Sequence, residues 1–148
     1  MNPSTSVQTL VAAAMMRATA GAIPETGVFT TTVSGVCFLV GWPPADPGPM
    51  VNFFAGCGVD TASELKVIEN PKNTFTLNLT DEQTATRYSS FIEAAGTFCQ
   101  KVPKIEYGDM EKIIYEPGLK NDETLKIAIG SITRTFTPGG CPIEPLHV

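Results

Sequence analysis

The chain has 148 residues with ten basic and fifteen acidic side chains, a formal net charge of −5, and 43% hydrophobic content. That composition excludes a disordered polyelectrolyte, and it offers no broad basic face for a phosphate backbone, because no two Lys or Arg are adjacent. The length is that of one domain, 1–148, and no run approaches the ~20 apolar residues of a membrane-crossing helix.

Residues 6–20 are expected to form a first helix within an N-terminal arm, 1–22. Val7, Leu10, Val11, Ala14, Met15 and Ala18 recur at helical spacing, and Gly21 follows the last of them. Both faces of this segment are nearly uncharged, and an isolated helix of that length is marginal in water, so it must dock on something.

The remainder, 23–148, reads as a β-rich body. Residues 28–40 form a long strand or a hairpin broken near Ser34-Gly35, with Thr30, Thr31, Thr32 and Val33 as good strand formers. Gly41 to Pro49 is a proline-rich loop in which neither a helix nor a central strand survives. Met50–Phe54 is a short strand, and Leu65–Glu69 with Thr74–Leu79 is a hairpin around Asn70-Pro71-Lys72-Asn73. The clearest element is a helix over 81–101. Thr80-Asp81-Glu82-Gln83 opens it as a capping box, and Ala85, Tyr88, Phe91, Ile92, Ala95, Phe98, Cys99 and Val102 give it an apolar stripe. Lys112–Glu116 and Leu125–Phe136 follow as strands, the latter with a phase slip at Gly130-Ser131 that reads as a β-bulge or barrel corner. The expected fold is therefore α+β: a mostly antiparallel sheet of six to seven strands, barrel- or sandwich-like, with one amphipathic helix packed on it and an N-terminal helix.

Charge is placed unevenly. Only Arg17, Glu25 and Asp46 fall before residue 60. A solvent-facing surface normally carries far more Lys, Glu, Asp and Arg, so this portion is expected to be covered by other polypeptide.

Cys37, Cys57, Cys99 and Cys141 make no CxxC, and His147 is the single histidine, so no zinc site, cofactor or catalytic triad is expected. Cys37 sits in an apolar run and Cys99 on the apolar helix stripe. Four unpaired thiols in a reducing compartment are the expectation, with one or two disulfides as the alternative. The N-terminus lacks the basic and apolar regions of a secretory signal, so the expected location is intracellular or a virion. Asn78-Leu79-Thr80 matches a glycosylation sequon and is read as coincidental, with Thr80 serving as a helix cap.

Two local resemblances carry functional implications. Val59-Asp60-Thr61-Ala62-Ser63, with Ile68 following, resembles the active-site stretch of retropepsins, and Ile127-Ala128-Ile129-Gly130 is similar to their second apolar-apolar-Gly segment. This resemblance implies an aspartic protease in which Asp60 shares a proton with its counterpart in a second subunit. Ala62 stands where that family has the glycine that lets the two loops approach. Separately, the stretch from Pro49-Met50 through Phe54-Ala55-Gly56 to Tyr115-Glu116-Pro117 is similar to OB-type single-strand binders of large DNA viruses. That implies stacking by Trp42, Phe54 and Tyr107 and phosphate contacts from Lys104 and Lys112. Phe53 is a further aromatic there, but adjacent strand residues cannot both face one groove, and the acidic balance disfavours nucleic acid.

The reading these observations favour is a non-enzymatic structural subunit of a larger assembly, with a viral or phage particle as its setting and other copies of itself or neighbouring subunits as partners. Its contact residues are expected to be Val7, Leu10, Met15, Met16, Trp42, Met50 and Phe53.

Overall fold

The computed structural model describes residues 27–42, 49–102, 104–119 and 122–142. The expected N-terminal helix, with Val7, Leu10, Met15 and Met16, lies outside the described residues. Eight antiparallel strands close into a barrel in sequence order. They are β1 (Val28–Val33), β2 (Val36–Gly41), β3 (Met50–Ala55), β4 (Ala62–Glu69), β5 (Thr74–Leu77), β6 (Lys112–Glu116), β7 (Thr124–Ile129) and β8 (Ile132–Pro138), with α1 (Glu82–Phe98) between β5 and β6. Pairing of Phe29 with Pro138 and of Thr30 with Thr137 closes the ring. The α+β, barrel-like expectation holds, with eight strands in place of six or seven.

The additional strand arises at Gly130-Ser131. Both residues have positive φ (63° and 66°), as do Ser34 and Gly35 (51° and 83°). Two consecutive positive-φ residues make the tight turn whose twist suits a hairpin. Residues 125–136 are thus two strands, paired from Leu125↔Phe136 to Ile129↔Ile132. A two-residue turn puts positions i and i+3 on one face, and this is the one-residue phase slip that the sequence shows.

Alternation builds the core. Val36, Phe38 and Val40 of β2, Val51, Phe53 and Ala55 of β3, Ile113 and Tyr115 of β6, and Leu125, Ile127 and Ile129 of β7 all point inward and are buried. An eight-stranded barrel has an interior that such side chains fill. Trp42, 5% exposed, stands edge-on to Phe75 with ring centroids 4.9 Å apart. Trp42 and Phe53, expected to contact other subunits, therefore lie in the chain's own core, Phe53 with no exposed surface at all. Strand parity places Phe53 inside and its neighbour Phe54 outside.

The helix covers what β5 is too short to pair. β4 meets β5 only through Val67, Ile68 and Glu69. Upstream, Asn78 N donates to Lys66 O (2.8 Å), Lys66 N donates to Thr84 Oγ1 (3.0 Å), and Arg87 Nη1 donates to Ser63 O (3.2 Å). The start of α1 thus satisfies a strand edge that would otherwise be open. Its N-cap is Asp81, whose carboxylate accepts from Thr84 N (3.0 Å) and Thr84 Oγ1 (2.8 Å). Thr80, the expected cap, stands one residue too early. Phe91 reaches the barrel interior, 5.8 Å from Phe53 between ring centroids. Tyr88 donates its hydroxyl proton to Asp109 O (2.6 Å) and accepts from Gly108 N (2.9 Å), tying the helix to the connection that leads into β6.

All four cysteines are paired, contrary to the expected free thiols. Cys37 bonds Cys141 with Cα atoms 5.9 Å apart, and Cys57 bonds Cys99 at 5.3 Å. Both separations suit a disulfide. Spacings along the chain say nothing about such proximity. It arises because the end of β8 lies beside the β1–β2 hairpin, and the β3–β4 turn lies beside the end of α1.

Candidate functional site

The outer barrel face divides into two halves of different chemistry. On β1, β2 and β3 the outward positions are Val28, Thr30 and Thr32, then Cys37 and Leu39, then Met50, Asn52 and Phe54. Register aligns them in rows. Thr30 faces Leu39, and Leu39 faces Phe54, so one row crosses three strands; Thr32 faces Cys37, and Gly41 faces Asn52, on either side of it. None of these side chains is charged. On β4, β6 and β7 the outward positions include Glu64, Lys66, Lys112, Glu116 and Lys126. The ion pairs among the described residues, Lys66–Asp81 (3.4 Å), Arg87–Glu64 (3.8 Å) and Lys126–Glu116 (3.7 Å), all belong to that second half and α1.

A groove of about 510 Å³ runs into the uncharged half between Thr32, Cys37, Phe54 and Gly56 and the segment Cys141-Pro142. The Cys37–Cys141 bond forms one wall, so the chain following β8 is fastened across β1 onto β2. Asn52 is partly committed inside the sheet: its Oδ1 accepts from Glu64 N (2.8 Å), where the β3–β4 register shifts. Leu39, Met50 and Phe54 are half-buried and carry no hydrogen-bonding side-chain group, so they supply the apolar content of this face.

The residues proposed for stacking and phosphate contact are dispersed. Trp42 is core, Phe54 projects outward from β3, Lys104 and Tyr107 lie in the α1–β6 connection, and Lys112 opens β6. Tyr107 is 60% exposed and stands edge-on to Tyr88, 5.2 Å between centroids. Eight strands in sequence order also differ from the five-stranded Greek-key OB barrel. Asp60 is exposed ahead of β4 on the wall of a second groove, about 440 Å³, whose other side is α1 at Arg87, Ser90, Ala94 and Phe98. Ala62, Ile127 and Ile129 are buried, and Gly130 belongs to the β7–β8 turn.

Two titrations are shifted by this framework. Hydrogen bonds from the Thr84 hydroxyl and backbone hold the Asp81 carboxyl below its ordinary range, with a smaller contribution from Lys66. Burial pushes the Tyr88 phenol well above its ordinary range. Among the described residues no three His, Cys, Asp or Glu converge as metal ligands. No protein family, curated protein or solved structure matches this chain.

Proposed function

We propose that this chain is a non-enzymatic assembly subunit that docks on other copies of itself through the uncharged outer face of β1–β3. One observation carries the reading: Thr30, Leu39 and Phe54 form a continuous row, flanked by Thr32, Cys37 and Asn52, with no charge in it, while the charged outward side chains of the barrel lie on β4, β6 and β7. Copies with net charge −5 repel one another, and they approach at least cost where neither presents an acid. Met50 remains a contact residue in this proposal; Leu39 and Phe54 take the places of Trp42 and Phe53. A viral or phage particle is the proposed setting, and two disulfides suit a particle exterior or another oxidising environment.

Sedimentation velocity across the micromolar range tests it. The wild-type chain is expected to self-associate, and Phe54→Glu is expected to weaken association by about 100-fold, roughly 3 kcal/mol, because a carboxylate would lose its hydration in the contact. Ile68→Glu, on the exposed outer side of β4, is the control and leaves association unchanged. A wild-type monomer throughout, or equal loss in both variants, refutes the docking face.

A further inference from the structure

Asn78-Leu79-Thr80 is the chain's one Asn-X-Ser/Thr triplet without proline in the middle. The structure removes the reason for assigning Thr80 to the helix instead. Thr80 is not the helix cap, because Asp81 holds that position and makes both capping bonds to Thr84. Thr80 is instead exposed, and it turns back onto Asn78: its hydroxyl donates to Asn78 Oδ1 at 2.5 Å and its backbone N–H donates to the same oxygen at 3.2 Å. Among the described residues the other end of the amide, Asn78 Nδ2, has no hydrogen-bond partner, and Asn78 is only partly buried.

The cysteines supply the independent observation. All four are disulfide-bonded, joining positions 104 and 42 residues apart. Structural disulfides form in oxidising compartments, the eukaryotic secretory lumen among them, and there a sequon on a surface turn meets the sequence and access requirements of a glycan acceptor.

We infer that Asn78 carries an N-linked glycan, added while the chain matures in a secretory compartment. The donor class is a lipid-pyrophosphate-linked oligosaccharide. The Nδ2–C1 bond forms, the bond from C1 to the pyrophosphate oxygen breaks, the amide gives up one proton, and the lipid pyrophosphate leaves; nothing is oxidised or reduced. Oδ1 keeps its lone pairs, so both Thr80 bonds survive the modification. The glycan leaves from the β5–α1 connection, in the ionised half of the molecule, and the β1–β3 face stays uncovered. This inference does not depend on self-association, and of the two proposed settings it fits a virus of a eukaryotic host and not a phage.

The test directs the full chain through the secretory pathway of a eukaryotic cell behind a cleavable leader, followed by intact mass measurement before and after peptide N-glycosidase treatment. The expected result is a single glycan-sized increment that the enzyme removes, absent from Asn78→Gln and from Thr80→Ala and retained in Thr80→Ser. Thr80→Ala leaves Asn78 itself intact, so loss of the increment there cannot be ascribed to damage at the acceptor. A secreted, disulfide-bonded wild-type chain without the increment overturns the inference, as does an increment that persists in Asn78→Gln or a lumenal chain whose four thiols stay free.

Discussion

Reducing the two disulfides, with every side chain kept, probes how the barrel is held shut. β1 pairs with β2 along its whole length, from Val28↔Gly41 to Val33↔Val36, but with β8 only at Phe29↔Pro138 and Thr30↔Thr137. The closing seam is therefore the weakest backbone ladder of β1, and Cys37–Cys141 crosses it. That bond joins residues 104 apart, and Cys57–Cys99 joins residues 42 apart. In the chain-entropy account, loops of those lengths remove about 5 and about 4 kcal/mol of denatured-state freedom. The smaller loop lies within the larger, so the two do not simply add, and roughly 8 kcal/mol is expected for both. Domains of this size have total stabilities of about 5–15 kcal/mol. The reduced chain is thus expected to sit at the edge of folding, and the paired variant Cys37→Ala with Cys141→Ala to melt roughly 10–15 °C lower. Guanidinium unfolding, followed by Trp42 fluorescence and far-UV circular dichroism with and without a dithiol, measures this, and thiol alkylation confirms the redox state. Identical midpoints for oxidised and reduced chains, or four alkylatable thiols in the native protein, would refute the reasoning.

Tyr88→Phe is expected to cost roughly 1–2 kcal/mol in urea unfolding, because the carbonyl of buried Asp109 loses its donor, whereas exposed Gly108 can turn its N–H to water. Tyr88 keeps its proton in the folded state at pH values where an unfolded tyrosine, near 10.0, has lost it, so stability is intact below about pH 10 and falls above it, and the variant should show a shallower alkaline decline. Asp81 works in the opposite sense: its folded carboxyl is more acidic than the ordinary 3.8, so its contribution is present above that value and disappears as pH falls through the lower folded value. Thermal melts from neutral to strongly acidic pH should show Asp81→Asn, which still caps α1, with a flatter acid limb, and Asp81→Ala with a lower midpoint at every pH.

Much of the fold was legible where side chains repeat with one period. Phe75 and Leu77 alternating with threonines, Leu125, Ile127 and Ile129 alternating with Lys126 and Ala128, and the 3.6-residue stripe of Tyr88, Phe91, Ile92 and Ala95 all name their buried faces. Gly130-Ser131 was ambiguous because a bulge and a two-residue turn shift the alternation by the same one residue; only the direction taken by Ile132 distinguishes them, and that depends on the partner strand. The helix cap was displaced by a residue for a similar reason. Thr80 and Asp81 both have a suitable oxygen, and what selects Asp81 is Thr84, held in place by the edge of β4.

Composition by itself determined that residues before 60 could not form an ordinary ionised surface. It could not separate the two causes of that deficit. Among the described residues of 27–59 some of the uncharged side chains, Phe29, Phe38, Val40 and Phe53 among them, fill the chain's own barrel, and others, such as Thr30, Leu39 and Phe54, face outward. Strand parity makes Phe53 and Phe54 opposites, but parity has no sign until a closed sheet defines an inside. The same closure brings Cys141 to Cys37 and Cys99 to Cys57, since proximity of residues 104 or 42 positions apart is a property of the ring of strands and of no segment within it.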